Sequence, residues 1–261
     1  MSIGVFDSGL GGLSIVHAIR AKMPGENICY LGDTLNVPWG GRGQQWIEDR
    51  SFQMAEFLIE NGAECIVVAC NSATAHAVQL LREAYAIPII GVEPPVKPAS
   101  EVGGNAILVL ATQATLESSR YLSLVQRYCT DIDVISRASP DLVQMVESGC
   151  YRTQKGTRDI SAILAPYINR GIRSVVLGCT HFSWLRETIA EGVAATLSIH
   201  DPAEAVALQV RRLYMGSRGI SGLNLYFTSE VNSYSEALKS MSIAGINVLN
   251  ELPERNYFLS E

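Results

Sequence analysis

The sequence predicts an α/β protein built from parallel sheets with helices on both faces. Short β-branched apolar runs alternate with stretches whose apolar residues recur at helical spacing. A proline-rich stretch interrupts the alternation, which then restarts. A strand–cysteine–helix unit also occurs twice, 109 positions apart. Such alternation implies parallel strands, because each must cross back over the sheet through a helix.

Residues 3–6, 28–31, 65–69 and 87–92 read as buried strands. Between them, 13–22, 44–61 and 73–84 carry apolar residues on one helical face. The stretch Glu93-Pro94-Pro95-Val96-Lys97-Pro98 breaks both periodicities and reads as a linker. The pattern resumes with strands at 106–111, 132–136 and 174–177, and helices at 116–128, 141–148, 156–169 and 183–191. A second boundary falls at Asp201-Pro202. The tail adds a strand at 223–228, a helix at 233–240 and a strand at 246–249. Too short to stand alone, it is expected to return to the first unit. The expected domains are therefore 1–97 plus 205–261, and 98–204.

With 261 residues the chain can bury a substantial core. Its 48% hydrophobic and 18% charged content with net charge −6 argues against nucleic acid or a membrane as partner. No basic stretch leads an apolar run, and none is long enough to span a bilayer, so a cytoplasmic protein is expected. In that compartment the six cysteines should be free thiols.

Two of them stand apart. Cys65-Ile-Val-Val-Ala-Cys70-Asn71-Ser72 and Ser174-Val-Val-Leu-Gly-Cys179-Thr180-His181 each run a strand into a thiol and then into a helix start. A helix N-terminus lowers a thiol's pKa and binds carboxylates. The repeat suggests two thiols facing each other across one anion-binding cleft. Cys29, Cys65 and Cys129 lack such flanks and read as small core residues.

Polar residues gather at similar strand ends. Asp7-Ser8-Gly9-Leu10-Gly11-Gly12 follows the first strand, Gly32-Asp33 the second, and Pro38-Trp39-Gly40-Gly41 forms a tight turn. In an open α/β sheet, ligands bind beyond these carboxyl ends, so Asp7, Ser8, Asp33, Cys70 and Asn71 belong on the rim. Ser14 stands where a dinucleotide loop needs its third glycine, which weakens a nucleotide reading. His181 lies near Cys179, but no Cys-x-x-Cys or second histidine pair completes a metal site, and no metal is expected. None of Lys22, Lys97, Lys155 and Lys239 lies on the rim to form a Schiff base.

In order and spacing, Gly4-Val-Phe-Asp-Ser-Gly-x-Gly-Gly-Leu-Ser14, Gly32-Asp33, Pro38-x-Gly40, Ala69-Cys70-Asn71, Leu110-Ala-Thr112 with Thr115, and Leu177-Gly-Cys-Thr-His181 resemble the cofactor-independent glutamate racemases of the aspartate/glutamate racemase superfamily. The resemblance implies two similar α/β domains with the active site in the cleft between them. It also implies no cofactor, a small acidic amino acid as substrate, and a homodimer as candidate assembly. Racemisation removes the Cα proton from one face and returns one to the other, so two opposed thiols suffice. The matched positions make Cys70 and Cys179 the two bases. Asp7 is implied to assist Cys70, and Glu147 and His181 to assist Cys179. Ser8, Asn71, Ser72 and Thr180 are implied to hold the substrate's polar groups, with the turn Pro38, Trp39, Gly40 at its distal carboxylate.

Five positions depart from the family pattern. Trp39 replaces a usual tyrosine, Ser72 a threonine, Ser139-Pro140 a Cys-Pro, and Phe182-Ser183 a Tyr-Pro. A larger ring at Trp39 could shorten the pocket, which keeps an aspartate racemase of specialised metabolism beside a glutamate racemase serving the cell wall. A hydantoin racemase or decarboxylase relative, or a catalytically idle paralogue, fits the intact thiol pair less well.

Overall fold

The computed structural model describes residues 2–102, 104, 106–192, 197–216, 222–230, 235–241 and 247–248. The first lobe opens with β1 (Ser2–Asp7), α1 (Leu13–Lys22), β2 (Asn27–Gly32) and α2 (Gln44–Glu60). It continues through β3 (Ala63–Val68), α3 (Asn71–Ala84) and β4 (Ile89–Gly91). The chain then enters the second lobe through α4 (Val96–Glu101), β5 (Ala106–Ala111), α5 (Gln113–Glu117) and α6 (Ser119–Tyr128). There follow β6 (Asp133–Ala138), α7 (Pro140–Glu147), α8 (Gln154–Ile168) and β7 (Ser174–Gly178). The lobe closes with α9 (Thr180–Ser183), α10 (Arg186–Gly192) and β8 (Ser198–His200). Last come α11 (Ala203–Leu213), β9 (Gly222–Phe227), α12 (Ser235–Ser240) and β10 (Asn247–Val248).

The strands form a six-stranded sheet ordered β10-β9-β2-β1-β3-β4 and a four-stranded sheet ordered β6-β5-β7-β8. Each recorded strand pair is parallel. The tail re-enters the first sheet, with β9 pairing along β2 from Asn27–Gly222 to Gly32–Phe227. Residues 233, 234, 246 and 249 of the tail elements expected from the sequence lie outside the described residues.

Side-chain alternation along the strands separates the cores. Ile3, Val5, Ile28, Tyr30, Cys65 and Val67 join one cluster with Ile15 and Ile19 of α1 and Val210 of α11. Their neighbours Phe6, Cys29, Leu31, Ile66 and Val68 turn to the other face, against Met54 and Leu58 of α2 and Ala77 of α3. In the second lobe Leu108, Leu110, Val175 and Leu177 face Leu142 and Val146 of α7 and belong to the same cluster as α1. One apolar core thus runs across both lobes. Val96, Val109, Tyr121 and Val176 form a smaller core on the far face. No helix among the described residues is long and apolar enough to cross a membrane.

Four local features differ from the sequence reading. The expected linker holds the helix α4, since Pro98 lies in its first turn, where no intrahelical N–H bond is lost. The helix expected at 116–128 is broken at Ser118, whose extended backbone and hydroxyl cap the next helix at Tyr121 N–H. A similar break between α9 and α10 interrupts 183–191. The helix α11 has no counterpart in the reading, although Ala203, Val206, Ala207 and Val210 recur at helical spacing.

Candidate active site

Strand register sets the rim. Asp7 pairs with Gly32 and Phe6 with Val68, so the first three strands end at nearly one level. One further ladder bond at each edge, Asp33 N–H to Asp7 O and Ala69 N–H to Phe6 O, carries the chain past the sheet. Cys70 follows at once as the extended N-cap residue of α3. In the second sheet Ala111 pairs with Gly178, so Thr112 and Cys179 leave at the same height. Cys179 is the N-cap residue of α9.

Both thiols are buried and open on one narrow cleft of about 10 Å³, room for roughly one water molecule. Ser8, Pro38, Trp39, Gly40, Asn71, Ser72, Thr180 and His181 line it with them. Asp7 and Glu147 stand one layer behind. Asp7 is fully buried and accepts hydrogen bonds from Gly9 N–H (3.1 Å) and the Thr180 hydroxyl (3.1 Å). Glu147 Oε1 lies 2.5 Å from His181 Nε2, and His181 Nδ1 lies 3.6 Å from Cys179 Sγ. A carboxylate, an imidazole and a thiol therefore stand in line.

The two thiols meet opposite electrostatics. Burial first, and the negative charge of Asp7 second, push the Cys70 thiol up to about 12. The Ala73 N–H and the Ser8 hydroxyl pull it back only in part. Burial alone would lower the pKa of His181. Its hydrogen bond to Cys179 and the charges of Cys179 and Glu147 more than offset that, holding it well above 6.5. One thiol thus faces a carboxylate, the other an imidazole biased toward its protonated form.

Asn71 donates its Nδ2 hydrogen to Val92 O at 3.2 Å, while its buried Oδ1 has no partner among the described residues. Ser72 and Thr112 exchange a hydrogen bond at 2.9 Å across the lobes. Thr112 and Val143 also line the cleft. Thr112 belongs to a recognisable motif, whereas nothing local marks Val143 as a cleft residue.

Asp33 follows β2 at the carboxyl edge of the sheet but does not line the cleft. It is fully buried and held bidentately by Arg50, with Nη2–Oδ1 2.7 Å and Nε–Oδ2 2.9 Å. Trp39 Nε1 donates to Asp33 Oδ2 at 3.0 Å, and Thr228 donates to Oδ1 at 2.8 Å. The Trp39 ring is fully buried and packs edge-on against Trp46 with centroids 5.4 Å apart. Asp33 and Arg50 thus brace the Pro38–Gly40 turn from behind. Arg50 escaped the sequence reading because its partner lies 17 positions away on another element. Among the described residues no three His, Cys, Asp or Glu side chains gather as a metal site.

A family model described as Asp/Glu/hydantoin racemase matches residues 13–210. The chain belongs to this racemase family. It is 41% identical over 212 residues to a glutamate racemase of Herpetosiphon aurantiacus, covering 81% of this chain and 84% of that protein. A glutamate racemase of Methylococcus capsulatus is 36% identical over 258 residues, 96% and 95% of the two chains. The structure of Escherichia coli glutamate racemase with L-glutamate and the activator UDP-MurNAc-Ala superposes with TM-score 0.86 at 25% identity, covering 95% of this chain and 96% of that one. An aspartate racemase from Picrophilus torridus shares the fold alone, at TM-score 0.56 and 15% identity over 82% of this chain and 94% of that one. These racemase relatives bear out the expected fold and place glutamate ahead of aspartate.

Proposed function

We infer that the chain interconverts L- and D-glutamate by proton transfer at Cα between two thiols, without a cofactor. The observation that carries this reading is the pair of buried thiols, one from each sheet, opening on a single cleft with opposite partners behind them. One sulfur, as thiolate, takes the Cα proton. The electron pair left at Cα flows toward the substrate carboxylate, and the opposite thiol returns a proton to the other face. The two sulfurs have then exchanged protonation states, and proton exchange with solvent after product release resets them for the next turnover.

The amino acid brings its own electrostatics. Its ammonium, placed beside Asp7 and Ser8, offsets the charge that raises the Cys70 thiol. The unpartnered Asn71 Oδ1 offers it a further acceptor. N–H groups at the start of α3, with the hydroxyls of Ser72 and Thr180, suit the α-carboxylate as electron density builds there. The Pro38–Gly40 turn then faces the distal carboxylate. A cleft of about 10 Å³ admits no amino acid, so binding requires the lobes to part and close again. In this reading residues 1–97 with 205–261 move as one body and 98–204 as the other, a division supported by the two separate sheets.

Incubating L-glutamate, D-glutamate and L-aspartate separately and following circular dichroism tests the assignment. Both glutamates should reach the racemic mixture. Aspartate, one methylene shorter and misplacing its carboxylate, should show kcat/KM lower by about ten-fold or more. Equal turnover of aspartate would overturn the choice of substrate.

A further inference from the structure

We propose that the glycine loop after β1 is the seat that positions the Glu147–His181 pair, with Gly9 and Gly11 as positioning residues for the Cys179 half of the reaction. This rests on the two-thiol reading above.

The loop looks at first like a phosphate cradle, but two of its N–H groups are already committed to carboxylates. Gly9 N–H binds Asp7 Oδ2 at 3.1 Å, and Leu10 N–H binds Glu147 Oε1 at 2.7 Å. Glu147 reaches this loop from the second lobe. Its Oε1 is also the atom that bonds His181 Nε2. A single oxygen therefore takes a backbone donor from one lobe and the imidazole from the other.

Space explains the glycines. Neither Gly9 nor Gly11 has a positive φ, so the turn itself does not demand them. A Cβ on Gly9 would overlap the Glu147 carboxylate, and one on Gly11 would overlap the His181 ring. The loop is also fastened on both sides. Tyr30 donates to Gly9 O at 2.6 Å and Ser14 to Gly11 O at 2.8 Å, both from the first lobe. Trp184 Nε1 of the second lobe donates to Gly11 O at 3.3 Å. Closing the lobes therefore presses a rigid surface against Glu147 and His181 and brings the imidazole into register with Cys179. Parting them withdraws the Leu10 donor and frees the pair.

The test is solvent-deuterium exchange at Cα, read by NMR from each glutamate enantiomer separately. Cys70→Ala and Cys179→Ala assign which enantiomer each thiol serves. Gly11→Ala should slow exchange of the enantiomer served by Cys179 about ten-fold or more beyond the other, since displacement on the ångström scale has such effects. KM should stay within about three-fold, because Ser8, Asn71, Ser72 and Thr180, the groups assigned to the substrate, are left in place. If the glycine serves packing alone, both exchanges fall together, which would overturn the proposal. Should Gly11→Ala fail to fold by circular dichroism, Trp184→Phe removes only the donor to Gly11 O and should give the same asymmetry, weaker. Equal exchange in that variant also overturns it. Wild-type protein that leaves glutamate unracemised would instead sink the two-thiol reading.

Discussion

Thr180 of the second lobe donates its hydroxyl hydrogen bond to Asp7 of the first at 3.1 Å. Thr180 follows one thiol directly, and Asp7 is the charge that raises the other. The two half-sites are therefore joined by a buried bond from one lobe to the other. Ser14 adds a second link, its single hydroxyl hydrogen shared between Gly11 O at 2.8 Å and Thr180 O at 3.1 Å. Together these bonds let each lobe fix the orientation of the residue beside the opposite base.

Replacing either thiol should stop racemisation. Cys70→Ala and Cys179→Ala each remove one face's proton carrier, a loss of about a hundred-fold to ten-thousand-fold in kcat. Polarimetry reads the loss. Solvent exchange should survive in a different enantiomer for each variant. Near wild-type racemisation in either one would show that two thiols are not required.

Glu147→Gln should lower the pKa of His181 and slow turnover. The folded-state pKa of His181 lies above its unfolded value of 6.5, so its contribution to stability is complete below that pH and is lost as pH rises through the folded value. The gap in urea midpoint between wild type and Glu147→Gln should therefore be widest near pH 6 and narrow in alkali. Histidine NMR titration gives the second readout, and an unmoved resonance in the variant would remove Glu147 as the partner.

Alkaline pH should destabilise the fold through its buried thiols. Burial raises Cys29, Cys65 and Cys70 from 9.0 to about 12, so each folded-state thiol keeps a proton that the unfolded chain releases. Their contribution is complete below pH 9 and disappears as pH climbs toward 12. By pH 10 it has fallen by roughly 1 kcal/mol per thiol. In Cys29→Ala/Cys65→Ala the loss of unfolding free energy between pH 8 and pH 10 should shrink by roughly 2 kcal/mol. An identical loss in both proteins would contradict the assignment.

Arg50→Met should leave Asp33 buried without its cation, at a cost of about 3–5 kcal/mol in unfolding free energy. Because Asp33 also holds Trp39, the same variant should raise KM for glutamate while the balance of exchange between the enantiomers stays level. Urea unfolding and initial rates measure both. An unaltered KM would mean that the turn does not depend on this ion pair.

Much of this molecule was legible in its sequence because the decisive signals are local. β-branched runs ending in Cys70 and Cys179 mark strand ends, and Asn71 and Thr180 mark helix starts within one residue of each thiol. What escaped depends on distance along the chain. Arg50 meets Asp33 only because α2 packs beside the sheet, and Val143 reaches the cleft only through the placement of α7. The glycines of the first loop are conspicuous in the sequence, but the groups that crowd them, Glu147 and His181, lie in the other lobe. The break at Ser118 was readable as a cap, yet the apolar spacing on either side hides it.

The return of the tail to the first sheet has a consequence for synthesis. Asp33 accepts a hydrogen bond from Thr228, and Thr34 one from Ser229 N–H, each 195 positions further on. A nascent chain carries both cysteines long before β9 exists, and its Trp39 turn is still braced on one side only. Domains fold in turn as the chain emerges from the ribosome. A chain still short of Thr228 therefore has Cys70 and Cys179, but the Asp33 carboxylate that holds Trp39 lacks one of its donors until the tail arrives.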